Sequence, residues 1–267
     1  MIFVNVGTPF DEKGSITVSP TVFPDGTSQV WKLPGEFLSR VEKDTVVSIR
    51  WDFVKEAEFI HLAQLVDLLR TYGVSLHLEI PYLPYARQDK RISNESTFAL
   101  QTFAKLLNSL DFAEVRVLDA HSNRAGMLIR NLEALPIGPA IQDAYSASKS
   151  NMVLFPDAGA EKRYWNFNIG PSAHAEKDRD PLTGHINSIR IVGSVRGKKV
   201  LIVDDICDGG ATFIFLADAA LSAGAKEIHL FVTHGIFSKG LNTLRESGIR
   251  RIFTHKGEVD KYVQEKQ

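Results

Sequence analysis

The chain has 267 residues, of which 44% are hydrophobic and 24% are charged, and its formal net charge at pH 7 is −1. These values are typical of a globular protein of one or two domains, and they argue against a general nucleic-acid or membrane-surface binder. Cys207 is the single cysteine, which excludes an intrachain disulfide and suits a reducing compartment. The sequence has no basic leader and no run of about 18 apolar residues, so we expect a cytoplasmic protein without a membrane span.

Strand and helix patterns alternate in the first half of the chain. The β-branched run at 45–49 predicts a buried strand, and apolar residues at helical spacing between Val54 and Leu69 predict a helix that ends at Gly73. The elements that follow are a strand at 75–80, a long loop at 81–95, a helix at 97–110 and a strand at 114–118.

The second half repeats this plan. Its predicted elements are strands at 152–155 and 199–203, a helix at 212–223, a strand at 227–233, a helix at 239–246 and a strand at 251–254. Proline and small residues gather at 131–147, where we place a domain boundary. Alternating strands and helices predict an α/β fold with parallel sheets and helices on both faces, in which ligands bind beyond the carboxyl ends of the strands.

An acidic segment follows the predicted strand at 199–203 and opens the next helix. Its residues are Asp204, Asp205 and Asp208, followed by Gly209, Gly210, Ala211 and Thr212. Carboxylates in such a loop can accept hydrogen bonds from ribose hydroxyls or hold a hydrated magnesium ion, and a helix amino end suits a phosphate. The alternative is an acidic helix cap followed by a turn, but the strand-end position favours a ligand site.

Two segments of the first half combine turn residues with groups that suit a nucleotide. In Phe-Pro-Asp-Gly-Thr-Ser-Gln-Val at 23–30, Phe23 could stack on a base and Asp25 could accept a hydrogen bond from an exocyclic amine. A hairpin turn with Asp-Gly at its tip explains the same residues. In Pro-Tyr-Leu-Pro-Tyr-Ala-Arg-Gln-Asp-Lys at 81–90, the planar fork of Arg87 suits a triphosphate, and the alternative is a solvated basic loop.

Three further segments carry groups that suit metal binding or phosphoryl transfer. His121 ends the sequence Leu-Asp-Ala-His after a predicted strand; a lone histidine is more often structural, but this strand-end position strengthens the case for ligand contact. Asp157, within Phe-Pro-Asp-Ala-Gly-Ala-Glu-Lys-Arg at 155–163, could help to hold a metal or could cap a helix. Lys177 and Arg179 could neutralise charge on transferred phosphoryl oxygens, although an isolated Lys-x-Arg pair is usually a surface feature.

Together these segments, from about Val22 to Thr254, resemble the ribose-phosphate pyrophosphokinases, which make phosphoribosyl pyrophosphate (PRPP). The acidic segment resembles the ribose-phosphate loop of the type I phosphoribosyltransferase fold. The resemblance implies two tandem domains of that fold, each a mostly parallel sheet flanked by helices. Residues 1–135 would form an N-terminal ATP-binding domain, and residues 136–267 a C-terminal ribose-phosphate-binding domain.

The resemblance also implies an activity and a set of partners. The enzyme would transfer the β,γ-diphosphoryl group of ATP to the anomeric 1-hydroxyl of ribose 5-phosphate, giving PRPP and AMP. Magnesium would be the cofactor, ATP and a ribose phosphate would be the substrates, and a homodimer or a higher homo-oligomer would be the assembly. Neither a nucleic acid nor a membrane is implied as a partner.

Site residues follow from the resemblance one by one. ATP would contact Phe23 and Asp25 from a neighbouring subunit and Arg87, Gln88, Asp89 and His121. The metal would be held with help from His121 and Asp157. The acceptor would contact Asp204, Asp205, Asp208, Gly209, Gly210, Ala211 and Thr212. Lys177 and Arg179 would be catalytic residues on a mobile loop.

The chain departs from the family pattern in three places. Thr27 stands where the family has glutamate, and Gly209-Gly210-Ala211-Thr212 stands where the family has Thr-x-Gly-Thr. The second change removes a hydroxyl donor from the loop that grips the 5′-phosphate. It suggests a second acceptor, a larger 5′-substituted ribose such as ADP-ribose, which would serve NAD salvage. The third departure is a short first domain, which puts the family's hexamers and phosphate regulation in doubt.

Two other classes of protein remain open. A phosphoribosyltransferase shares the acidic segment but does not need the Tyr-Ala-Arg-Gln-Asp element. A non-catalytic paralogue would keep the fold without the catalytic residues, whereas Lys177, Arg179, His121 and the aspartates are all present here. The sequence therefore favours a pyrophosphokinase over both of these alternatives.

Overall fold

The chain folds into two compact units, each with its own sheet and its own apolar core. A computed structural model describes residues 1–6, 15–30, 32–179 and 186–259, with the backbone alone at 177–179 and 186–188. Unit 1 is Met1–Leu135 and unit 2 is Pro136–Gln267. Within the described residues, no helix combines the length and the apolar character that a membrane crossing requires.

Unit 1 contains a parallel sheet and a separate two-stranded hairpin. Its strands are β1 (Ile2–Val6), β2 (Ile16–Val18), β3 (Thr21–Val22), β4 (Ser28–Gln29), β5 (Val46–Arg50), β6 (Ser75–Glu79), β7 (Glu114–Leu118) and β8 (Leu132–Leu135). Its helices are α1 (Gly35–Leu38), α2 (Glu58–Arg70), α3 (Ala99–Ser109) and α4 (Arg124–Leu128). In the described part of unit 1, the parallel sheet has the strand order β2-β1-β5-β6-β7-β8, and β3 pairs with β4.

The faces of this sheet differ in polarity because side chains alternate along each strand. Leu76 and Leu78 of β6 are buried in the core, together with Leu65 of α2 and Leu107 of α3. The same core holds Val47, Ile49, Val115 and Val117 from the neighbouring strands. These contacts fix α2 and α3 against the sheet, so that the loops after β6 and β7 lie at its carboxyl edge.

Unit 2 is built on a mixed sheet that is mostly parallel. Its strands are β9 (Met152–Phe155), β10 (Ser172–Arg179), β11 (Ile186–Val192), β12 (Lys199–Cys207), β13 (Glu227–Gly235), β14 (Ile249–Thr254) and β15 (Gly257–Glu258). Its helices are α5 (Gly138–Ala147), α6 (Ala158–Tyr164), α7 (Ala211–Ser222) and α8 (Asn242–Glu246). The described strands follow the order β11-β10-β9-β12-β13-β14-β15, with antiparallel pairs at both edges.

The predicted fold class is confirmed, because both units are α/β with mostly parallel sheets flanked by helices. Several predicted boundaries were wrong, and two of them have a clear physical cause. The strand predicted at 199–203 continues to Cys207, because β13 pairs with it along this whole length. The helix predicted from Lys239 begins only at Asn242, because Gly240 adopts a left-handed backbone with φ of 73°.

Candidate active site

Three predicted site residues meet at the carboxyl edge of the sheet in unit 2. Asp157 directly follows β9, and Asp204 and Asp205 lie in the last part of β12, which pairs in parallel with β9. The pKa of Asp204 is raised to about 7, first by burial and then by repulsion from Asp205 and Asp157. The structure therefore brings the predicted metal ligand close to the predicted acceptor carboxylates.

Asp204 and Asp205 were expected in a loop, and this expectation was wrong. Both lie within β12, where Asp204 is paired with Val232 of β13. The neighbouring strand satisfies their backbone groups, so the strand continues into the acidic segment although aspartate disfavours strands. The loop itself begins at Asp208, which is exposed. The carboxylates of Asp204 and Asp205 are consequently held by rigid backbone, which suits a preorganised site.

Arg163 is a residue of this site for which no role was predicted from the sequence. Its Nη1 lies 2.7 Å from Oδ2 of Asp205, and the Asp205 side chain is only 5% exposed. Asp157 caps the amino end of α6, because its Oδ1 accepts a hydrogen bond from the backbone N–H of Ala160 at 3.0 Å. The motif at 155–163 thus joins a helix cap to an ion pair through one short helix.

The glycine-rich turn after β12 starts α7. Gly210 adopts a left-handed backbone with φ of 79°, and its carbonyl accepts hydrogen bonds from Phe213 and Ile214. A Cβ at Gly210 would lie 2.9 Å from the side chain of Leu244, so a larger residue is excluded by both backbone and space. Among the described residues, no side chain caps α7. The N–H groups of Ala211 and Thr212, which precede those bonded to the Gly210 carbonyl, therefore suit an anion.

Four of the predicted ATP residues, Arg87, Gln88, Asp89 and His121, lie in loops at the carboxyl ends of two adjacent parallel strands, β6 and β7. Arg87 and Gln88 are exposed, and the backbone N–H of Gln88 donates to the carbonyl of Tyr85 at 2.9 Å. Arg124 Nη1 donates to the Asp89 carbonyl oxygen at 2.6 Å, which links the first loop to the loop that carries His121. The geometry holds both segments at one edge, and their contact with ATP stays a prediction.

The hairpin formed by β3 and β4 carries Phe23 and Asp25 on its turn. Oδ1 of Asp25 accepts hydrogen bonds from the N–H and the hydroxyl of Thr27, at 3.0 and 2.7 Å. These bonds lower the pKa of Asp25. Thr27, which departs from the expected glutamate, therefore orients this carboxylate locally. The binding of adenine by Phe23 and Asp25 stays a prediction.

Gln64 of α2 fixes the position of the hairpin. Its Oε1 accepts from the N–H of Val30 and its Nε2 donates to the carbonyl of Ser28, both at 2.8 Å. The amide thereby makes both hydrogen bonds that a peptide group would make. The hairpin is tied to the body of unit 1, close to its turn.

Lys177 and Arg179 belong to β10 by their backbone, whereas their side chains lie outside the described residues, as does the segment 180–185. The sequence analysis placed the pair on a loop, and this placement was wrong for the backbone. Lys177 is paired with Ile189 of the antiparallel strand β11, with a register shift between Asp178 and Arg179. A strand forms here because the alternating residues Ala173 and Ala175 pack into the core. The catalytic role of the pair stays a prediction.

The carboxylates of unit 2 fit a magnesium ion. Within the described parts of the chain, no three His, Cys, Asp or Glu residues form a ready-made metal cage. Magnesium is commonly held by one or two carboxylates together with substrate phosphates and water. The half-buried Asp204, repelled by Asp205 and Asp157, is the type of carboxylate at which a bound cation offsets repulsion. His121 lies in unit 1, and its role as a metal ligand stays a prediction.

Comparison with known proteins gives consistent matches. Residues 170–263 match the phosphoribosyl transferase domain family. A ribose-phosphate pyrophosphokinase of Bradyrhizobium diazoefficiens is 32% identical over 67% of this chain and 60% of that protein. One from Thermococcus kodakarensis is 30% identical over 82% of this chain and 77% of that protein. The chain thus spans less than two thirds of the Bradyrhizobium protein and more than that of the Thermococcus protein.

A solved structure shows the same fold. The crystal structure of phosphoribosylpyrophosphate synthetase from Mycobacterium smegmatis superposes with a TM-score of 0.78 and 21% sequence identity. The superposition covers 95% of this chain and 87% of that chain. At 21% identity this likeness supports the fold alone, and the chemistry has to be inferred from the residues of the site.

Proposed function

The chain belongs to the ribose-phosphate pyrophosphokinase family, and we propose that it transfers the β,γ-diphosphoryl group of ATP to the 1-hydroxyl of ribose 5-phosphate. The products would be PRPP and AMP. The observation that carries this proposal is the arrangement of Asp157, Asp204 and Asp205 at one sheet edge, beside the uncapped start of α7. Carboxylates for a sugar and a helix amino end for its phosphate are the groups that such an acceptor needs.

The acceptor is held by unit 2. Asp204 and Asp208 accept hydrogen bonds from the ribose hydroxyls, and the first N–H groups of α7 bind the 5′-phosphate. Asp205 is tied to Arg163 at 2.7 Å, so its main role is to hold this edge in shape. The division of roles follows from the different environments of two adjacent carboxylates.

ATP is held through its phosphates by Arg87, Gln88 and His121, and its adenine by Phe23 and Asp25 of a neighbouring subunit. Asp157 and His121 are the residues that the family pattern assigns to magnesium, which would be bound mainly by the phosphates and would supply neutralisation of the phosphoryl charge. Each of these contacts is assigned from the family pattern, and the structure supplies the loops that present the residues.

The reaction is an in-line displacement. The 1-hydroxyl oxygen of the sugar forms a bond to the β-phosphorus and loses its proton to water, while the bond from this phosphorus to the α–β bridging oxygen breaks and AMP leaves with that oxygen. Lys177 and Arg179 neutralise the charge that spreads over the transferred oxygens. Catalysis needs positioning and electrostatics and no covalent enzyme intermediate.

A larger acceptor is the second candidate. Ala211 begins α7 without offering a side-chain hydroxyl and is exposed, and Gly209 before it is half-buried. Space at this edge would let a 5′-diphosphate extend outward, as in ADP-ribose. The reaction itself would be unchanged.

AMP release tests the function directly. Purified protein is incubated with ATP and Mg²⁺ alone, with ribose 5-phosphate or with ADP-ribose, and AMP and the sugar product are quantified by chromatography and mass analysis. We expect acceptor-dependent AMP, equal in amount to a product carrying the added diphosphate. Asp204→Asn should abolish it, whereas Asp218→Asn, a change of an exposed carboxylate on α7, should not. If neither sugar raises AMP release above the level with ATP alone, the proposal is wrong.

A further inference from the structure

The turn after β13 is anchored to the acidic segment. The backbone N–H groups of Ile236 and Phe237 both donate to the carbonyl of Cys207, at 2.8 and 3.1 Å. The turn is closed by a hydrogen bond of 2.8 Å from the N–H of Gly240 to the carbonyl of Phe237. These bonds set the path of residues 236–240 relative to the end of β12.

This path places the side chain of Lys239 beside Gly209. A Cβ on Gly209 would lie 3.5 Å from Cε, 3.6 Å from Cδ and 3.9 Å from Cγ of Lys239. The ammonium group is one bond beyond Cε, so it lies within reach of the turn that opens α7, while the stem atoms Cε, Cδ and Cγ are the ones nearest to Gly209. Lys239 is exposed. No ion pair or hydrogen bond joins its side chain to another residue in the described ranges.

The acceptor loop has few donors of its own. Thr212 is its one hydroxyl-bearing residue, because Gly209, Gly210 and Ala211 carry none. The start of α7 adds N–H groups and a partial positive charge, but a phosphate dianion is better matched by a full cation. Lysine provides a compact charge on a long stem, which can follow an anion over a range of positions.

We propose that Lys239 binds the anionic 5′-phosphoryl group of the acceptor and determines the specificity of this site. This inference rests on the proposed function. The lysine replaces the hydroxyl that is missing from the loop, so the site selects riboses that carry a 5′-phosphate or a 5′-diphosphate over unphosphorylated ribose. Lys239 acts on binding, and it has no part in the transfer step.

The test measures acceptor affinity without turnover. Calorimetric titration with ribose 5-phosphate and with ADP-ribose, in the absence of ATP, compares the wild type with Lys239→Met. A charge-assisted contact at an exposed position predicts a roughly tenfold loss of affinity for the preferred acceptor. Lys239→Arg should restore most of it. Lys226→Met, a change of an exposed lysine that precedes β13, should have no effect.

Kinetics give a second readout. Lys239→Met should raise the KM for the acceptor and leave both the turnover number and the KM for ATP unchanged. The inference is wrong if the variant binds both sugars as tightly as the wild type does. Absence of AMP release from the wild type would instead refute the proposed function, so the two failures are distinguishable.

Discussion

Arg163 and Asp205 form an ion pair of 2.7 Å that joins α6 to the end of β12. The Asp205 side chain is 5% exposed and that of Arg163 is 26% exposed, so solvent screens this pair only weakly. Asp204, one residue earlier, has a raised pKa of about 7. Two adjacent aspartates therefore differ in electrostatic role. The charge of Asp205 is balanced by Arg163, whereas burial and repulsion favour the protonated form of Asp204.

Arg163→Met should destabilise unit 2, because it leaves a buried carboxylate without its cation. A loss of about 2–4 kcal/mol in the free energy of unfolding is expected for breaking one side of such a pair. Urea unfolding measures this loss. In Arg163→Met/Asp205→Asn the destabilisation should be smaller than the sum of the two single effects. Strict additivity would show that the pair contributes no coupling energy.

Asp204→Asn should make the protein more stable at neutral and higher pH, although it removes activity. The folded pKa of about 7 lies above the unfolded value of 3.8, so the folded state favours the protonated form. The stability that this carboxyl contributes is full below the unfolded pKa and is lost as pH rises through the folded pKa. The variant does not share this loss. At about pH 8 we expect it to be more stable by roughly 2–4 kcal/mol.

The measurement is urea unfolding from about pH 4, near the unfolded pKa of 3.8, to about pH 8, above the folded pKa of about 7. The buffer contains no divalent cation, because a bound cation would offset the repulsion. Asp218→Asn is the control, since Asp218 is exposed on α7. A stability difference between wild type and Asp204→Asn that stays constant with pH would contradict the assignment.

His229 should make unit 2 sensitive to acid. It is buried in β13, and within the described residues neither ring nitrogen has a hydrogen-bond partner. Burial is the main cause of its lowered pKa, which falls from 6.5 to about 4. The neutral ring is therefore favoured by folding, and stability is lost as pH falls from the unfolded pKa through the folded one. His229→Leu should reduce this loss, measured by urea unfolding between about pH 7.5 and pH 4.5. An equal loss in both proteins would refute the prediction.

Lys177→Ala should act on turnover. If the side chain neutralises the transferred phosphoryl oxygens, its removal should lower the turnover number by roughly 10²–10³-fold and leave the KM for the acceptor close to that of the wild type. Lys226→Ala provides the control, because Lys226 precedes β13 at the opposite edge of the sheet. Near-normal turnover of Lys177→Ala would remove this residue from the catalytic step.

Local sequence was sufficient for the fold class and for the central strands and helices of each unit. The helix predicted at 212–223 is α7, shifted by one residue, because its apolar residues and the terminating Gly224 are contiguous in sequence. The end of β12 was missed because the pairing with β13 extends it through two aspartates that locally favour a turn. The low strand propensity of aspartate is overridden here by the hydrogen bonds that β13 makes to β12.

The site residues also divide into those indicated by local sequence and those that depend on contacts between distant segments. Asp157, Asp204 and Asp205 were predictable because each lies at a strand end, and adjacent parallel strands bring those ends together. Arg163 had a motif position but no predictable partner, since the ion pair depends on how α6 packs against β12. Lys239 had no signal at all, because its position beside Gly209 depends on the path of a turn 30 residues further along the chain.

The two hydrogen bonds from Gln64 have a consequence for how the hairpin behaves in a crowded solution. A short ribbon with an open edge is a template on which another extended segment can pair. The side-chain amide occupies the Val30 N–H and the Ser28 carbonyl, the groups that an incoming strand would need first. One glutamine therefore protects this edge against unwanted strand addition, while the turn that carries Phe23 and Asp25 stays accessible to solvent.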